Sequence, residues 1–60
     1  MNIEEMKTRW IKCFGTRFFA FIPPESVHIL MAGFLAGCDI HMESAEAKEF
    51  ESWVMKWYKE

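Results

Sequence analysis

Apolar residues fall into three blocks along this chain, and two breaks separate them. In the first block Ile3, Met6, Trp10, Phe14 and Phe18 recur at intervals of three and four, the period of one helix face. Asn2 stands where an N-cap belongs, and Glu4 and Glu5 fall in the first turn, where the helix dipole favours acids. Glu5 precedes Arg9 by four residues, an order that supports a helix by a few tenths of a kcal/mol. The pattern predicts a first helix over 3–20. Gly15 is its weak point, because glycine costs about 1 kcal/mol against alanine inside a helix. If the helix stops there, the run Thr16–Ile22 is left to extended structure, which its aromatic and β-branched residues also suit.

Pro23-Pro24 makes the first break. Each proline pushes its predecessor out of the α region, and proline also suits the first turn of a new helix. A second helix is predicted over 24–40. It is apolar nearly all round, with Val27, Ile29, Leu30, Met31, Ala32, Phe34, Leu35, Ala36 and Cys38, so it belongs at the centre of the fold. The apolar run Ile29–Cys38 is about half of the ~20 residues that a bilayer span needs, so no membrane role is expected. Gly33 and Gly37, and likewise Ala32 and Ala36, sit four apart, a spacing that lets two helix backbones approach closely. Gly37 also reads as a residue that ends the helix.

After Asp39-Ile40-His41-Met42 a third helix is predicted over 43–58, capped by Ser44 with Glu46 in its first turn. Ala47, Phe50, Trp53, Val54, Trp57 and Tyr58 form one stripe on it, and most of the charges lie outside that stripe. Phe50, Trp53, Trp57 and Tyr58 read first as core and second as a hot spot for a partner, since Trp and Tyr dominate such sites.

Composition sharpens this picture. The chain has 60 residues, of which 52% are apolar and 17% aromatic. A domain this short buries only about 60% of the surface of its unfolded chain, and a lone core of this size supplies about 3–5 kcal/mol at best. Three Trp, six Phe and five Met are more than such a core is expected to hide. The expectation is therefore an all-α, compact three-helix bundle, one domain over 1–60, that associates as a homodimer. Val27, Leu30, Met31, Gly33, Phe34, Gly37 and Cys38, with Leu35 beside them, would form the shared seam.

Charge adds a mild asymmetry. Residues 1–30 carry a net +1 and residues 31–60 a net −3, a split that suits ordinary solvated faces as well as antiparallel association. Glu4 and Glu5 come early and no apolar stretch follows a basic start, so the cytoplasm is the expected compartment and both thiols are expected reduced.

Candidate chemistry is sparse. Cys38-x-x-His41 with Cys13 and His28 supplies the donor types zinc prefers, but Cys13 stands alone, and small buried thiols explain both cysteines. A Cys–His nucleophilic pair would need a pocket and an oxyanion hole that three short helices hardly provide. We therefore expect no enzyme activity, no metal and no cofactor. In a helix-turn-helix reading the third helix would enter the major groove, yet it displays Glu46, Glu49 and Glu51 where base and phosphate contacts call for Arg, Lys, Asn or Gln. A small dimeric DNA-binding regulator is the alternative to a protein-binding role. For the latter, the expected partner surface is Lys7, Arg9, Trp10, Lys12 and Arg17 on the first helix with Trp53 and Trp57 on the third.

The ending Phe50-Glu51-Ser52-Trp53-Val54-Met55-Lys56-Trp57-Tyr58-Lys59-Glu60, on so short and Trp-rich a chain, resembles the small early-region accessory proteins of lambda-like phages. The resemblance covers about the last third of the chain. It implies an accessory or regulatory protein that acts through contacts with a host or phage protein, in the host cytoplasm. It carries over no functional residue.

Overall fold

The structure, a computed structural model, describes residues 2–59; Glu60, which closes the acidic-aromatic ending, lies outside them. Three α-helices follow one another: α1 Ile3–Phe14, α2 Pro24–Gly37 and α3 Ala45–Lys56, with a 3₁₀ turn at Phe18–Ala20 between the first two. No strand occurs among the described residues. The expected all-α three-helix bundle is what the chain forms, and the differences lie at the helix ends.

Helix α1 begins as its sequence predicts. The Asn2 side chain accepts a hydrogen bond from the Glu5 backbone N–H at 2.9 Å, and Glu4 and Glu5 occupy the first turn. It stops at Phe14 and not at Ala20. Gly15 takes φ 75° and ψ −173°, a conformation open in practice only to glycine. Its N–H closes on the Ile11 carbonyl at 2.7 Å. The chain then turns so that Phe18 re-enters the core, fully buried. The stretch after Gly15 is thus neither helical throughout nor extended. The Ile22 N–H donates to the Phe18 carbonyl at 2.8 Å, and the Tyr58 hydroxyl donates to the Ile22 carbonyl at 2.7 Å, tying this corner to the far end of the chain.

Helix α2 starts at Pro24, with Pro23 extended before it. It ends at Gly37, three residues short of the expected Ile40. Gly37 is the last helical residue, but the left-handed position belongs to Asp39 at φ 60°. The Ile40 N–H bonds the Leu35 carbonyl at 2.9 Å and the Asp39 N–H bonds the Ala36 carbonyl at 3.1 Å, the paired bonds of a Schellman end. Helix α3 is capped as expected: the Ser44 hydroxyl accepts from the Ala47 N–H at 3.2 Å. It runs from Ala45 to Lys56, leaving Trp57 and Tyr58 in the turn beyond.

The core is Met6, Trp10, Phe18, Ile22, Val27, Met31, Leu35, Ala47, Phe50 and Val54. Trp10 is its hub. Its ring lies 5.3 Å from Phe18, 5.3 Å from Phe34 and 5.5 Å from Phe50, edge to face in each case, a geometry that adds about 0.5–1.5 kcal/mol per pair beyond area burial. Phe34 stacks on Phe50 at 5.3 Å, joining α2 to α3. The radius of gyration is 10.6 Å, close to the roughly 10.4 Å of a lone folded chain of this length. One chain therefore hides more of its aromatic surface than its composition suggests. Among the described residues the large apolar side chains left exposed are Phe19, Phe21, Ile29 and Met42.

Candidate interaction surfaces

The residues expected to form a dimer seam do not share one surface. Val27 and Met31 are 0% and 2% exposed within the single chain. Leu35 is buried beside them, and Leu30, Phe34 and Cys38 are half-covered. Val27, Met31 and Leu35 are covered within their own chain and belong to its core. Gly33 and Gly37 face outward, exposed. A 100° step per residue explains the split: Val27, Met31 and Leu35 fall on one side of the helix, and Ile29, Gly33 and Gly37 on another.

The expected partner surface divides in the same way. Trp10 does not belong to it, since it is fully buried at the centre of the core. Its place in the period of Ile3, Met6 and Phe14 carried that signal, and the flanking Arg9 and Lys12 concealed it. Lys7 is half-covered: its Nζ lies 3.5 Å from Glu4 and 5.6 Å from the centre of the Trp53 ring, linking α1 to α3. Arg9, Lys12 and Arg17 are exposed. Trp53 and Trp57 are half-buried and meet edge to face at 6.1 Å.

Two surfaces missed in the sequence stand out. One is an aromatic corner. Phe19 stacks on Trp57 at 6.0 Å with the rings 22° from parallel, and Phe21 beside it is 64% exposed. Arg17, Lys56 and Lys59 flank these rings in sequence, all exposed. The signal was the stop at Gly15, after which Phe18 and Ile22 turn inward and Phe19 and Phe21 outward. The other surface is a shallow groove of about 310 Å³ between α1 and α2, with Gly33, Gly37, Phe34 and both cysteines along it and Arg9 and Lys12 at its edge.

The residues weighed for zinc or nucleophilic chemistry do not converge. His28 Nδ1 lies 3.2 Å from Glu51 across the α2–α3 contact. His41 Nδ1 accepts from the Glu43 N–H at 3.1 Å in the loop after α2, while Cys13 and Cys38 line the groove. Among the described residues no group of three or more His, Cys, Asp and Glu is placed to hold a metal ion, and no helix is long and apolar enough to cross a membrane. Burial pushes the Tyr58 hydroxyl above its usual pKa of 10.0, in keeping with its role as a donor to Ile22. On helix α3 the outward positions are Glu46, Lys48, Glu49, Ser52 and Lys56, a mixed and acid-containing face with little to offer a phosphate backbone. Comparison with family models, with curated proteins and with solved structures gives no match for this chain.

Proposed function

We propose that this chain is a non-enzymatic accessory protein that acts by holding a protein partner against its aromatic corner. One observation carries the reading: Phe21 is left 64% exposed on a chain that buries Trp10, Phe18 and Phe50 completely. Exposed apolar patches mark sites where a second molecule binds, and Phe21 with the exposed Phe19 and its stacking partner Trp57 supplies the rings for one. Phe19 lies two residues before Phe21, and the exposed cations Arg17, Lys56 and Lys59 are close to these rings in sequence. The complementary surface is an apolar pocket with acidic edges on another protein. Under the resemblance to lambda-like phage proteins, that protein is of host or phage origin.

The test compares wild-type chain with Phe21→Asp, whose exposed position leaves folding intact. Both are immobilised and challenged with host lysate. A protein held by the wild type and lost with Phe21→Asp is the expected result. Equal capture by the two, or a salt-sensitive affinity for random duplex DNA in place of a protein, would sink the proposal.

A further inference from the structure

The outward ridge of α2 has an unusual make-up. Glu25, Ile29, Gly33 and Gly37 follow one another at intervals of four, so they lie along one ridge of the helix. All four are exposed, Ile29 by 75%. The first two project and the last two are bare backbone. Packing within the chain requires neither glycine. The only glycine with positive φ is Gly15, and a Cβ built on Gly33 or Gly37 meets nothing within 4 Å. Gly33, in the helix interior, nevertheless costs about 1 kcal/mol against alanine.

We propose that this ridge is a self-complementary interface and that its occupant is α2 of a second copy, packed antiparallel about a two-fold axis. Two pairings show the fit. Placing Ile29 of one copy over Gly33 of the other puts Glu25 over Gly37, because both pairs share a centre at position 31. One axis then seats both projecting residues in both hollows, twice over, as an isologous contact requires. The charges agree with this register. Gly33 and Gly37 floor the groove whose edge is Arg9 and Lys12, so the incoming Glu25 carboxylate arrives beside two cations. Two such acid–base encounters, one at each end, frame an apolar centre of Ile29 and glycine backbone, the usual arrangement of an apolar core and polar rim. The absence of side chains at both hollows lets the helix axes approach closely, as small residues four apart do elsewhere. This surface is separate from the aromatic corner and does not rest on the function proposed for that corner. It keeps Gly33 and Gly37 from the seam expected from the sequence and sets Glu25 and Ile29 beside them in place of the buried Val27 and Met31.

The interface is tested by sedimentation equilibrium on the full chain. Wild type should show a concentration-dependent dimer. Gly33→Leu fills a hollow that is empty in the single chain, so far-UV circular dichroism and melting should stay native while dimerisation weakens about tenfold or more. Glu25→Lys should also weaken it, and Glu25→Lys with Arg9→Glu and Lys12→Glu should restore it, since that swap recreates opposite charges across the axis. A wild type that remains monomeric up to about 1 mM, a dimer indifferent to Gly33→Leu, or a charge swap without rescue would each overturn the assignment.

Discussion

Helix α2 reads as apolar nearly all round, yet its two sides meet opposite fates. Val27, Met31 and Leu35 are at most 3% exposed, packed beneath α1 and α3, while Ile29 on the other side is 75% exposed. An all-apolar helix is commonly taken as a sign of central burial. In a chain of 60 residues two other helices do not surround it, so one side stays open. The comparison teaches that apolar content alone locates a central helix but does not say which molecule covers each side. Geometry within the single chain does: it marks one side as closed and the other as open.

The largest expected effect separates the two sides by stability. Phe50→Ala removes a fully buried ring that contacts Trp10, Phe34 and Trp53, and should cost about 3–5 kcal/mol in urea denaturation. Phe34 is only half-buried, so Phe34→Ala should cost less, about 2 kcal/mol. Ile29→Ala should change the stability of the monomer by no more than about 0.5 kcal/mol. Losses of similar size at Phe50 and Ile29 would erase the distinction between the closed and open sides.

Glycines provide the next test, with effects of opposite sign. Gly15 sits at φ 75° with open space around a would-be Cβ, so the penalty for Gly15→Ala is conformational and should be about 1–3 kcal/mol. Gly33 has the same open space and a helical backbone. There Gly33→Ala should stabilise the monomer by about 0.5–1 kcal/mol. Thermal melts at a concentration low enough to keep both variants monomeric measure the pair. A destabilising Gly33→Ala would mean that the outer ridge is constrained by its own chain after all.

Much of this fold was legible in the sequence because short-range physics fixes it. Asn2 and Ser44 cap the helices predicted from them, and Pro24 opens α2. Ile3, Met6, Trp10 and Phe14 share a face as their spacing requires. The helix ends were less legible. Gly15 permits a stop but does not compel one, and what decides it is the burial of Phe18 against Trp10, Trp57 and Tyr58, a contact between distant parts of the chain. Asp39 took the left-handed position that Gly37 seemed suited for, because the Schellman bonds fall two residues later. The candidate surfaces were the least legible. Trp10 looked available among basic neighbours and is the centre of the core, whereas Phe19 and Phe21 acquired their exposure only from the turn after Gly15.

That turn repeats the contrast of α2 on a smaller scale, and Tyr58 holds it in place. Phe18 is fully buried while Phe19 and Phe21, one and three residues on, are exposed. The Tyr58 hydroxyl donates to the Ile22 carbonyl across 36 positions of sequence, fixing which aromatics point inward. Tyr58→Phe deletes that donor and leaves a partly buried carbonyl without it, a loss of about 1 kcal/mol. The pH dependence gives a second reading with a defined sign. Burial raises the Tyr58 pKa above 10.0, so the folded chain keeps this proton at pH values where the unfolded chain has begun to lose it. Above the unfolded value the unfolded state binds fewer protons, and the stability due to Tyr58 declines as pH rises until the folded value is passed. Wild type should therefore exceed Tyr58→Phe in urea midpoint at about pH 8, and the gap should narrow toward about pH 11. A gap that stayed constant over that range would mean that the phenol is as free to ionise in the folded chain as in the unfolded one. The boundary between the covered and the bare aromatics would then have to be held by ring packing alone.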